Sequence, residues 1–82
     1  MSVFMVEREV PGISMDQLAA AQKAAIEISP HFGGRYIRST WLPNEGRCMC
    51  LFAAPSLKAV EDIQIKAGLP FTRIVLALDL TP

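Results

Sequence analysis

An α+β fold, with a four-stranded antiparallel sheet and two helices on one of its faces, is predicted by three features of this 82-residue sequence. Strand-like runs rich in β-branched and aromatic residues alternate with two runs at helical spacing, in the order βαββαβ. Pro and Gly clusters fall between those runs, where the chain must turn. The composition, 51% hydrophobic against 20% charged, supplies enough apolar material for a core and excludes a disordered chain. At 9.0 kDa, a single domain over residues 1–82 is the expectation.

Strand one is read from Val3 to Val10, where Phe4, Val6 and Arg8 alternate with Val3, Met5, Glu7 and Glu9 until Pro11-Gly12 stops the run. Helix one opens at Ser14, which with Gln17 three residues on has the form of a capping box. Met15, Leu18, Ala19, Ala25 and Ile26 continue it at helical spacing until Ser29-Pro30, and a loop is expected around His31, Phe32, Gly33 and Gly34. Arg35 to Leu42 and Arg47 to Ala54 read as a hairpin, with Pro43-Asn44-Glu45-Gly46 as its turn. Helix two takes Ser56 as N-cap, carries Leu57, Val60, Ile63 and Ala67 on one face, and ends at Gly68 before Pro70. Strand four is read from Arg73 to Leu80, with Ile74, Leu76, Leu78 and Leu80 opposite Arg73, Val75, Ala77 and Asp79. This order is the split-βαβ, ferredoxin-like motif.

Both faces of that sheet read as apolar. With Leu42 opposite Arg47, one hairpin face carries Tyr36, Arg38, Thr40, Leu42, Arg47, Met49, Leu51 and Ala53. The other carries Arg35, Ile37, Ser39, Trp41, Cys48, Cys50, Phe52 and Ala54. Two helices can shelter only one side of four strands, so the remaining side needs a different cover. A second copy of the chain is the simplest one, which predicts a homodimer joined through the open sheet face as a dimeric α+β barrel. Hiding on the order of 500 apolar Å² per subunit would contribute on the order of 25 kcal/mol per dimer before association costs.

Eight basic and eight acidic side chains cancel, so the electrostatic footprint of a nucleic-acid or membrane-surface binder is missing. Neither nucleic acid nor membrane is an expected partner. The opening Met-Ser-Val-Phe-Met-Val-Glu-Arg has no basic region ahead of a long apolar stretch, and the expected location is cytoplasmic. Cys48 and Cys50 sit one residue apart on a strand, at roughly 6.6 Å between Cα atoms, which suits reduced thiols on one face better than a disulfide.

Glu7-Arg8-Glu9-Val10-Pro11-Gly12, Ile37-Arg38-Ser39, Cys50-Leu51-Phe52-Ala53-Ala54-Pro55 and Ala67-Gly68-Leu69-Pro70 together resemble a family of small uncharacterised bacterial domains. Its best-described relative is a nickel-binding, dimeric, ferredoxin-like protein. The resemblance covers nearly the whole chain and implies a dimer with a small ligand or a transition metal such as nickel near the sheet. Relatives carry a His-Ala pair on helix two where this chain has Ile63-Gln64, and an aliphatic side chain ligates no metal.

The chemically able residues are few. Cys48 and Cys50 could present thiolates to a borderline metal, with His31 as the sole imidazole, but the favoured account is that the thiols are small core groups beside Phe52 and Trp41 and His31 a solvated loop residue. Glu7, Glu9, Arg38 and His31 are the acid-base candidates for catalysis, although an edge-of-sheet ion pair with Arg35, Arg38 or Arg73 is the favoured account of the carboxylates. Arg38, mid-strand on the face assigned to Tyr36, Thr40 and Met49, calls for a carboxylate from Glu7, Glu9 or an anionic ligand. The leading reading is a non-enzymatic homodimer that binds a small ligand or a metal. A cofactor-independent isomerase or monooxygenase-like enzyme is the alternative by fold analogy, and a ligand-free interaction subunit the third.

Overall fold

The computed structural model describes residues 1–82 apart from Asp79 and Thr81. Its elements are β1 (Ser2–Glu9), α1 (Met15–Ile28), β2 (Arg35–Leu42), β3 (Arg47–Ala54), α2 (Leu57–Ala67) and β4 (Arg73–Ala77). The strands form one antiparallel sheet in the order β2-β3-β1-β4, which is the ferredoxin-like arrangement.

Local chemistry sets the helix limits. Ser14 Oγ accepts the Gln17 backbone N–H at 3.1 Å and the Gln17 side chain accepts the Ser14 N–H at 2.9 Å, so both open donors at the start of α1 are satisfied. Pro30 cannot extend the α-helical ladder, and the chain tightens into a 3-10 turn over Ser29–Phe32 where the sequence suggested a loop. Ser56 Oγ caps α2 by accepting from Ala59 N–H at 3.1 Å. Gly68 closes it in the left-handed region at φ 70, a conformation that costs a glycine little.

Period-two alternation then divides the sheet. Phe4, Val6, Cys48, Cys50, Phe52 and Ile74 face the helices and pack with Ala25, Val60 and Ile63 in one core. Val3, Met5, Met49, Leu51 and Val75 lie on the opposite side, half-buried and covered by neither helix.

Two assignments change. The register slips between Tyr36 and Arg38, so Ile37 is an extra residue and everything before it faces the other way. Tyr36 therefore pairs with Phe52 and meets its ring edge-on, 5.5 Å between centroids, on the helix side and not beside Arg38. Arg35, opposite Ala53, moves to the open side, where Arg38 also lies opposite Leu51. Strand β4 ends at Ala77, so Leu78 and Leu80 do not continue its face, and Asp79 lies outside the described residues.

Gly46 fixes the hairpin turn to the end of β1. Its carbonyl accepts the Val10 N–H at 2.8 Å, its φ is +66, and a Cβ there would stand 3.0 Å from the Pro11 Cα. Gly46→Ala should lower unfolding free energy by about 1–2 kcal/mol from the left-handed backbone alone, and more if Pro11 cannot shift. Urea unfolding indistinguishable from the parent would contradict this packing.

Candidate functional site

The alternation of β1 sends Glu7 and Arg8 to opposite sides of the sheet, where each meets a different environment. On the open side, Arg47 donates to Glu7 Oε1 at 3.0 Å and the Arg73 Nε donates to Oε2. The hydrogen bond from Arg73, followed by its charge and by Arg47, outweighs the opposing effect of burial and holds the Glu7 carboxyl below its ordinary 4.5. Glu7 is thus an ionised anchor between two strands, poorly suited to take a proton at neutral pH.

On the helix side, Arg8 is only 6% exposed. Its Nη1 donates to the Pro70 carbonyl at 2.9 Å and its Nη2 to Gln64 Oε1 at 2.8 Å. Gln64, fully buried on α2, is held in turn by donating to the Val60 carbonyl at 3.3 Å. Both acceptors of the guanidinium are neutral, and among the described residues no carboxylate forms a salt bridge with it.

Arg8 lines a cavity of about 240 Å³ between α1 and the sheet, together with Leu18 and Ala25 from α1 and Trp41, Cys48 and Cys50 from the hairpin. A hydrogen-bonded chain runs along one wall. Gln22 Nε2 donates to Tyr36 Oη at 3.0 Å, Tyr36 and Ser39 hydroxyls meet at 2.7 Å, and Ser39 donates to Cys50 Sγ at 2.8 Å. This wall exists because the bulge at Ile37 turns Tyr36 inward.

Cys48 and Cys50 are both buried and reduced, with sulfurs 3.9 Å apart. Burial above all, reinforced by Cys50, pushes the Cys48 thiol up to about 11, while the charge of Arg8 and a hydrogen bond from Ser39 oppose the rise. Metal binding here would require both thiols to deprotonate. Nickel takes four or more ligands in square-planar or octahedral arrangements, and among the described residues no three His, Cys, Asp or Glu side chains converge. The described residues of this chain therefore do not fit nickel by themselves.

Of the remaining candidates, Glu9 joins Glu7 in lining a second cavity of about 350 Å³ with Arg8, Arg47, Thr72 and Arg73, while His31 and Arg38 lie apart. His31 is exposed on the 3-10 turn, Glu9 is exposed at the end of β1, and Arg38 is exposed on the open face. None of these three lines the cavity beneath α1. Arg8 and Gln64 were not among the candidate catalytic or metal-binding residues read from the sequence. Gln64 had a readable signal, since it occupies an apolar stripe one residue after Ile63 and four after Val60.

Two pH effects follow from these environments. Because Glu7 titrates lower in the folded chain, its pairs add stability above about pH 4.5 that is lost as pH falls through the folded value. Glu7→Gln should accordingly flatten the loss of stability on acidification, measured by urea unfolding from roughly pH 5 down to roughly pH 2, the range over which a paired carboxylate takes up its proton. At pH 8, a thiol titrating near 11 instead of 9.0 carries roughly a hundredfold less thiolate. Iodoacetamide should modify Cys48 at least that much more slowly in the native than in the unfolded protein, and equal rates would rule out the buried setting.

Comparison with known proteins agrees with this architecture. Residues 4–76 match the family model described as nickel responsive protein SCO4226-like. The crystal structure of SCO4226 from Streptomyces coelicolor A3(2) superposes with a TM-score of 0.87 at 26% sequence identity, covering 99% of this chain and 100% of that one. No curated protein matches the chain significantly. With a family match running from within β1 to within β4, the chain belongs to the SCO4226-like family of nickel responsive proteins.

Proposed function

We propose that this chain is a single-domain ligand-binding protein that works as a homodimer, and that it binds without catalysing a reaction. The observation that carries the reading is the cavity beneath α1: it is walled by an apolar lining, a buried cation and two thiols, and it is separate from the four acid-base candidates. Glu7 and Glu9 share a second cavity of about 350 Å³ with Arg8, Arg47, Thr72 and Arg73, where Glu7 is committed to two arginines; Arg38 lies elsewhere on the open face and His31 on the 3-10 turn. An enzyme of this fold would need a base and its substrate in one place.

The homodimer reading is supported by the one-sided cover of the sheet. Met5, Met49, Leu51 and Val75 form an apolar strip on the uncovered face, bordered by Arg38, Arg47 and Arg73. A second copy placed there would bury the strip and leave the charges at a polar rim. Nickel enters as a ligand through the family description, and Cys48 and Cys50 are the sulfur donors this chain would offer. Filling nickel's coordination would then draw on more than the described groups of a single subunit. No helix among the described residues is long and apolar enough to cross a membrane, and the proposed location is the cytoplasm.

Light scattering on a size-exclusion column should give twice the 9.0 kDa chain mass at micromolar concentration, and Leu51→Glu on the uncovered face should shift it to the monomer. A parent protein that elutes as a monomer refutes the dimer. Native mass spectrometry after purification without chelator should show a retained small molecule or metal. Calorimetric titration with nickel, repeated on Cys50→Ser and His31→Ala, separates these: heat lost with Cys50→Ser assigns the metal to the thiols, and heat lost only with His31→Ala assigns it to the 3-10 turn.

A further inference from the structure

We infer that the cavity between α1 and the sheet takes a small organic anion, a carboxylate with an apolar body, whose charge is met by Arg8. This rests on the ligand-binding reading above and names the class of ligand.

A guanidinium at 6% exposure has left most of its hydration behind. Buried ions are normally matched by an opposite charge, yet the partners of Arg8 are an amide oxygen and a peptide carbonyl. Those bonds fix its orientation without neutralising it, and a guanidinium has more N–H donors than they use. The two acids adjacent in sequence cannot supply the charge, because Glu7 and Glu9 both project from the other face, where Arg47 and Arg73 hold Glu7. Cys48 cannot supply it at neutral pH, because its thiol stays protonated. The missing anion is therefore one that arrives from outside.

The cavity limits what that anion can be. At about 240 Å³ it lies below the roughly 300–1,000 Å³ typical of drug-sized ligands. Leu18, Ala25 and Trp41 give it apolar walls suited to a hydrocarbon or aromatic body. The polar groups of the other wall are already engaged in the chain from Gln22 to Cys50. One cation in a mostly apolar pocket whose other polar groups are already paired suits a single carboxylate, whereas a phosphate would bring more charge and more acceptors than Arg8 alone could satisfy.

Trp41 lines this cavity and is the sole tryptophan, so its fluorescence reports occupancy directly. The parent protein is titrated with benzoate and hexanoate, each beside its uncharged amide. The expected result is a saturable change with at least one of the two acids, about tenfold or more tighter than with its amide. Arg8→Gln should abolish the preference for acid over amide, and Arg8→Lys should keep part of it. If an amide binds as tightly as its acid, the anion assignment fails while the cavity remains a ligand site. If no acid or amide perturbs Trp41, the anion assignment fails as well, and a native mass spectrum free of retained ligand then removes the ligand-binding reading with it. Should Arg8→Gln not fold, the acid-to-amide comparison on the parent decides alone.

Discussion

Four strands in one sheet present two faces, and the two helices of this topology cross back over the same one. That asymmetry governs the distribution of everything else. The helix side becomes the core, with Val6, Phe52, Val60 and Ile63 wholly removed from solvent. The other side keeps Met5, Met49, Leu51 and Val75 only half-buried and meets its charge on the margin. The described elements supply no third layer over that side.

The same asymmetry gives consecutive residues of β1 opposite electrostatic fates. Glu7 emerges on the side open to solvent, where two arginines from β3 and β4 reach it and its ionised form is favoured. Arg8 emerges in the core, where it is oriented by the neutral Gln64 and Pro70 groups at the end of α2. One residue ties three strands together at the sheet's end; its neighbour ties the sheet to the second helix. Exchanging the two would strand a carboxylate among apolar side chains and leave two exposed arginines facing a third cation.

Most of the fold was legible because its signals are local. Ser14 with Gln17, Ser56, Gly68 and the Pro43 to Gly46 turn each act over a few residues, and each marks the boundary that the structure has. The bulge at Ile37 was not legible. It depends on whether Tyr36 gains more from Phe52 and Ser39 inside than from Arg38 outside, a balance set by partners on β3 that strict alternation along β2 does not encode. For the candidate site the same distinction holds. The paired thiols follow from spacing on a strand, so Cys48 and Cys50 could be placed together. The environment of Arg8 could not be read, because Gln64 and Pro70 approach it from 56 and 62 residues away.

The same environments set what these groups can do chemically. A general base works when its proton affinity is tuned near the working pH and its substrate lies within reach. Here the carboxylate with the best-defined surroundings is driven toward permanent ionisation, and the thiol with the best-defined surroundings toward permanent protonation. Neither shift moves a group toward neutrality in its titration. What the cavity does hold ready is a cation already oriented by two hydrogen bonds, an arrangement that favours recognising a charge over transferring a proton. Binding asks only for such preorganisation, and the residues that supply it are those that also hold α2 against the sheet.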